Sequence, residues 1–240
     1  MGIKQSSKEY PVEKNTFYFS ESSFEKITDI MYMEEFEQGA RIFWEGDPVQ
    51  KLFYVKEGSV QLSKLNDEGK DLTLYHYFPG DLFGEFSPSD NQISTFTAQA
   101  LEDCKIGVIQ QADLEVLLWQ NGDLAIEFAK WQSLIQRSTE LKIRDLLFHG
   151  KNGALASTLI RAANTYGIQD GENIHISRKF TNNEISSLIG ATRETVNRML
   201  SKLKSDGLIS YENGRITITD LEGLKLVCNC EECPLSICRL

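Results

Sequence analysis

The chain has 240 residues, 41% hydrophobic and 25% charged, and a net charge of −10. Those values exclude a disordered or fibrous polymer and leave one large or two ordinary domains. Residues 1–140 hold 12 Lys and Arg against 24 Asp and Glu, whereas residues 141–240 hold 13 against 11, so the first part repels phosphate and the second can approach it. The apolar runs fall far short of the ~18 residues that cross a bilayer. Residues 1–10 are polar, unlike a signal peptide, so a cytoplasmic protein with no membrane partner is expected.

Residues 34–108 predict short strands between glycine-bearing turns. Residues 52–55 run apolar into Gly58, and residues 60–65 alternate with period two. Residues 66–69 (Asn-Asp-Glu-Gly) form a turn, and residues 72–78 return as a strand stopped by Pro79 and Gly80. Many short strands at this spacing indicate an antiparallel, jelly-roll-like β-roll. No nucleotide-binding glycine fingerprint follows any of them.

From Gln111 the pattern becomes helical and stays so to about His149. Trp131, Leu134, Leu141 and Phe148 recur at spacings of three and four that pass through Ser138 and Asp145. That seam suits packing against a second subunit, or against the chain's own roll. A helix over 123–148 would be about 39 Å long, a length more easily used in a dimer. Gly150 and Gly153 then break it; residues 154–166 are again helical, 167–171 read as a polar loop, and 174–176 as a short strand.

Residues 180–200 carry the most specific signal. Thr181 with Glu184 is a capping box at a helix start. Gly190 supplies the tight turn, Thr192 caps the next helix, and Val196, Leu200 and Leu203 form its inward face. This is a helix-turn-helix. Arg193, Glu194, Asn197 and Arg198 lie on the first turns of its second helix, the part that enters the major groove. Arginine can meet guanine O6 and N7 together, and glutamate can accept from cytosine N4. Lys202 and Lys204 farther along suit phosphate. Residues 208–218 are two strands joined by Asn213-Gly214, a hairpin signal that adds a wing.

A glycine-marked roll, a long helix and a winged helix-turn-helix containing Arg193-Glu194-Thr195-Val196-Asn197-Arg198 resemble the CRP/FNR transcription regulators over about residues 30–225. The resemblance implies an α+β architecture in four segments. Residues 1–110 would be a roll of the cyclic-nucleotide-binding-domain fold and 111–149 a dimerisation helix. Residues 150–225 would be a winged helix-turn-helix and 226–240 a cysteine-rich tail. It also implies a homodimer on palindromic double-stranded DNA, with Arg193, Glu194 and Arg198 reading bases and Thr181, Thr192, Asn197 and Lys202 completing the DNA-binding set. Arg193 stands where the cyclic-AMP receptor branch has its arginine and the Gram-negative FNR branch has none, so TGTGA-like half-sites are expected. RNA polymerase is the further partner, and residues 87–91 and 167–173 are loops that could meet it.

In the cyclic-nucleotide branch a Gly-Glu pair holds the ribose and a later Arg-Ser pair the cyclic phosphate. Gly84-Glu85 is present here, but residues 91–95 contain no arginine, and an unpaired buried phosphate is costly. Cyclic AMP is therefore not expected as ligand. The tail offers another sensor. Cys230, Cys233 and Cys238, with Cys228 two residues earlier, place four of the five cysteines in 13 positions. Thiolates suit zinc or iron–sulfur clusters, and the spacing does not separate the two. The tail on this fold resembles the Fnr branch of bacilli, which implies an oxygen-labile 4Fe–4S cluster and control of anaerobic metabolism. Three cysteines leave a fourth ligand to find. Asp145, a lone carboxylate in an apolar seam, is preferred over Cys228 because it would tie the tail to the long helix.

Cys104 reads as a core residue, and His76, His149 and His175 are scattered without a triad or metal spacing. No catalytic residues are expected and the chain does not read as an enzyme. The alternative to an oxygen-responsive cluster is a regulator answering to a small molecule in the roll, with structural zinc in the tail.

Overall fold

The computed structural model describes residues 8–9, 13–67, 69–86 and 92–240, and the chain divides into two compact units. One is residues 14–136. The other is residues 137–240 with the N-terminal strand β1 (Lys8–Glu9).

The first unit opens with α1 (Glu21–Asp29), started by the Ser20 hydroxyl accepting from the Ser23 N–H. Eight strands follow: β2 (Met31–Phe36), β3 (Arg41–Phe43), β4 (Lys51–Glu57), β5 (Val60–Leu65), β6 (Asp71–Tyr77), β7 (Leu82–Gly84), β8 (Thr97–Ala100) and β9 (Cys104–Gln110). They make two antiparallel four-stranded sheets, ordered β2-β9-β4-β7 and β3-β8-β5-β6. This is the roll expected from the period-two patterning. Its inward positions, among them Phe53, Val55, Val60, Ile106 and Val108, form one apolar core with stacked Phe53, Phe83 and Tyr77. Cys104 is buried in that core. A second core gathers Ile27, Leu52, Leu114, Leu124, Phe128 and Trp131 beneath α1, α2 (Gln111–Gln120) and the first turns of α3 (Gly122–Tyr166). Buried Asp81 accepts from the Asn15 and Phe78 N–H groups, which satisfies its charge and pins residues 15–16 to the roll.

The long helix corrects two expectations. Its break lies at Gly150 (φ 58°, ψ −163°), and helix resumes at once through Gly153. The seam proposed for a second subunit is occupied within the chain. Trp131 and Leu134 are buried in the first unit, and in the second Ser138 donates to the Ile237 carbonyl and Asp145 is buried. Phe148 is instead 79% exposed, together with Ile143, Leu146 and Leu147. The face left uncovered is therefore offset from the one the spacing suggested. The two compact units part at residue 137, inside the helix. The reason is that each half of α3 buries its apolar stripe against a different core.

In the second unit β10 (Gly167–Asp170) and β11 (Asn173–Ile176) form a hairpin where residues 167–171 read as loop. Gly171, at φ 61°, makes the turn. Then come α4 (Asn182–Ile189), α5 (Arg193–Ser205), β12 (Ile209–Glu212), β13 (Arg215–Ile218) and α6 (Leu221–Val227). The sheet order is β1-β10-β11-β13-β12. Its core joins residues 154–163 of α3 to Ile185, Val196, Leu200, Ile209, Ile218 and Leu224.

Candidate nucleic-acid interface and cysteine centre

The helix-turn-helix is built from its caps. Thr181 Oγ1 accepts from the Glu184 N–H at 3.1 Å while the Glu184 carboxylate accepts from the Thr181 N–H at 2.7 Å. Arg178 pairs with Glu184 at 2.9 Å and lies over the Tyr166 and Phe180 rings, so the capping carboxylate is held from both sides. Gly190 ends α4 in the left-handed region at φ 59°, and Thr192 Oγ1 accepts from the Thr195 N–H to open α5. Val196, Met199, Leu200 and Leu203 are buried. That burial turns Arg193, Glu194, Asn197, Arg198 and Lys202 outward, all exposed or partly so. Thr181 and Thr192 sit at the helix starts with their hydroxyls committed to the caps. On the wing side Tyr211 donates to Asn182 Oδ1 at 2.7 Å, and Lys204 reaches the Tyr211 carbonyl and Glu212. The turn residues Asn213 and Gly214 both have positive φ, as the tightest hairpin requires.

The tail packs into the second unit's core. Helix α6, which the sequence reading did not separate from the wing, ends at Cys228, a buried member of the second unit's core, as is Leu240. Cys230 and Cys238 pack against the same core. The return path is fixed by hydrogen bonds to α3. Asn164 donates to the Cys238 carbonyl at 2.7 Å, and the Leu240 N–H donates to Thr165 Oγ1 at 3.2 Å. Arg144 pairs with Glu231 at 2.5 Å, and Arg239 donates to the Glu13 carbonyl.

Asp145 is 1% exposed and both its oxygens are engaged. Oδ1 accepts from Arg144 at 2.7 Å; Oδ2 accepts from Ser157 at 2.5 Å and from Arg161 at 2.9 Å. Burial pushes this carboxyl up, but the Ser157 and Arg144 hydrogen bonds and the Arg161 charge outweigh it and hold it below its ordinary value. Arg161 is itself buried, and its Nε has no acceptor among the described residues. Sequence reasoning missed Ser157 and Arg161. Their signal was two polar residues four apart in the stretch 154–163, which apart from Thr158 otherwise reads Ala, Leu and Ile.

Burial, the neighbouring Cys230 and the Asp145 charge push the Cys228 thiol up to about 12. Burial also raises Cys233, opposed by Arg144, and Cys238, opposed by Arg161. Burial lowers Lys142, which Arg161 and Arg239 repel and Cys238 favours. The four tail cysteines, Asp145 and these cations thus share one neighbourhood. No three His, Cys, Asp or Glu side chains among the described residues stand close enough to grip a single ion. Chemically, soft thiols beside buried arginines suit an anionic thiolate–metal group, whose charge the arginines would balance.

In the roll a cavity of about 260 Å³ is lined by Glu34, Asp47, Lys51, Gly84, Glu85 and Ser94. Glu85 Oε1 accepts from the Ser94 hydroxyl at 3.1 Å, so the Gly-Glu pair is engaged internally. Residues 87–91 lie outside the described residues. His76 is buried in the roll and His175 bonds Thr217 on the wing sheet. No described helix is long and apolar enough to cross a membrane.

Comparison with known proteins agrees with this anatomy. Residues 33–121 match the cyclic nucleotide-binding domain and residues 153–227 the Crp-like helix-turn-helix domain. The anaerobic regulatory protein of Bacillus subtilis is 39% identical over 92% of this chain and 94% of its own. A CRP-like cAMP-activated global transcriptional regulator of Mycobacterium tuberculosis is 27% identical over 85% and 91%. The crystal structure of a CRP/FNR-family transcriptional regulator from Thermus thermophilus superposes with a TM-score of 0.63 at 28% identity, over 82% of this chain and 98% of that one. The outward-facing α5, the antiparallel roll and this likeness over nearly the whole length place the chain in the CRP/FNR family of DNA-binding transcription regulators, which are not enzymes.

Proposed function

We propose that this chain is an oxygen- or redox-responsive regulator of anaerobic metabolism, working in the cytoplasm as a homodimer on TGTGA-like palindromes together with RNA polymerase. The observation that carries the sensor reading is the return of the tail onto α3, which packs Cys228, Cys230 and Cys238 against the core and brings Cys228, Cys233 and Cys238 within electrostatic reach of buried Arg161, the partner of Asp145. A 4Fe–4S cluster held by Cys230, Cys233, Cys238 and Asp145, with Cys228 as the other candidate for the fourth position, matches these donors in chemical kind, soft thiols with one carboxylate, and not in their present spacing. When bound, such a cluster supplies an oxygen-sensitive charge centre. The chain's own residues do the rest. Arg144 and Arg161 balance negative charge, and Asn164 and Thr165 fix the tail to the helix that packs behind α5. The likeness to a bacillary anaerobic regulator supports the same reading. The exposed Ile143, Leu147 and Phe148 are the apolar face available to a second subunit.

Cyclic AMP is not assigned to the roll, because three carboxylates and one lysine line its cavity and a cyclic phosphate would enter against that charge. Purification without oxygen tests the sensor reading. Brown protein with stoichiometric iron and sulfide supports it. Colourless protein with one tightly held zinc per chain would refute it in favour of a ligand-answering regulator with a structural metal.

A further inference from the structure

A stack of aromatic rings runs through the interior of the roll and ends on the long helix. Tyr75 and Tyr77, two residues apart on β6, point to the same face of the strand, with 5.6 Å between ring centroids. Tyr77 stacks on Phe83 of β7 at 4.9 Å, Phe83 on Phe53 of β4 at 5.3 Å, and Phe53 on Phe43 of β3 at 5.3 Å. These are separations that offset rings prefer. Strands β3 and β6 belong to one sheet and β4 and β7 to the other, so the rings join the two sheets from within. At one end of the stack, Phe43 and Phe53 line the cavity of the roll. At the other end the buried Tyr75 donates its hydroxyl to the Ile135 carbonyl of α3 at 3.0 Å. A helical carbonyl has a lone pair beyond the one its ladder uses, so this bond leaves the helix intact. Ile135 packs against both cores of the unit, and the phenol therefore grips α3 where the two cores adjoin.

We propose that Tyr75 is a built-in tie, which fixes α3 to the roll with no small molecule between strand β6 and the helix. A ligand that linked the two at this point would need an aromatic body for the stack and a hydroxyl for the carbonyl. Tyr75 supplies both, already attached to the chain, so the contact carries no entropy of association and no dependence on a ligand's concentration. The roll is then a permanent support for α3 at this contact, and signals must reach the helix elsewhere. Both partners of the tie lie within residues 14–136, and it stands whether or not the tail holds a cluster.

The test is amide hydrogen exchange in the full chain for wild type, Tyr75→Phe and Tyr75→Ala, the last with phenol or benzene added. Tyr75→Phe keeps the ring and removes only the hydroxyl. Exchange at Thr139, whose N–H meets the same carbonyl in the helical ladder, should quicken roughly 2- to 12-fold, the equivalent of one net hydrogen bond. Strand amides such as Val55 and Val108 should keep their wild-type rates. Tyr75→Ala removes the volume of one phenol, and engineered apolar cavities admit such rings. Phenol should restore the wild-type rate at Thr139, whereas benzene, which lacks the donor, should not. Equal rescue by both probes, or by neither in folded protein, overturns the proposal, and so does Tyr75→Phe that exchanges like wild type. Should Tyr75→Ala fail to fold, Tyr75→Phe decides alone, through the rate at Thr139 relative to Val55. Cyclic AMP added to wild type is the remaining arm. No change at Thr139 is expected, and slower exchange there overturns the proposal, because a ligand would then be supplying the tie.

Discussion

Replacing Asp145 by alanine in iron-free protein removes the negative partner of a cation that water cannot reach. The Asp145 and Arg161 side chains are 2% and 6% exposed and 2.9 Å apart, and Ser157 bridges them. Breaking a buried pair from one side costs about 3–5 kcal/mol, because the surviving charge stays desolvated. Arg144, at 21% exposure, can turn to solvent or keep Glu231, so its own removal should cost about 1 kcal/mol or less. Removing both members, as in Asp145→Ala/Arg161→Met, should recover much of the loss, since apolar replacements of buried pairs are often neutral. Native-state hydrogen exchange at Leu155, Leu159 and Ile160 reads opening of this unit alone, which avoids assuming that two units unfold together. The sign of the pH dependence follows from the Asp145 carboxyl lying below its ordinary 3.8. The pair's contribution is fully present above that value and is lost as pH falls through the lower folded value. Wild type and Asp145→Ala should therefore converge in acid. Additive single and double variants, with no coupling beyond about 0.5 kcal/mol, would refute the reasoning.

Arg193→Ala should weaken binding to the TGTGA duplex by about 1–3 kcal/mol per half-site and relax preference at one base pair, read by competition between duplexes. Equal loss on random DNA would remove Arg193 from base readout. Single Cys230→Ser, Cys233→Ser and Cys238→Ser variants should lose iron in anaerobic assays, and full iron in any one excludes that cysteine as a required ligand. Because Cys238 is packed against the core, its serine variant should also loosen the tail, seen as faster exchange at the Leu240 amide bonded to Thr165. For the fourth ligand, Asp145→Ala should lose iron while Cys228→Ser retains it, and Asp145→Cys should slow loss in air because thiolate holds iron more tightly than carboxylate. The reverse pattern in the two single variants assigns Cys228 instead.

Local chemistry accounts for the elements that are legible in the sequence itself. Period-two alternation defines β5, and the capping box, Gly190 and Asn213-Gly214 define the helix-turn-helix and wing, because caps and turns depend on residues only a few positions apart. Cysteine spacing drew attention to the tail for the same reason. What lay beyond reach depends on which faces meet across long separations. The spacing of Trp131, Leu134, Ser138 and Asp145 showed a stripe but not its partner, and that partner proved to be the chain's own cores. Asp145 was legible as an anomaly, whereas the Ser157 and Arg161 side chains that saturate it lie 12 and 16 residues away across a helix break. Lys151, at the break in α3, and Arg198 and Lys202, on α5, line one cleft, a grouping that belongs to the folded unit and to no single segment.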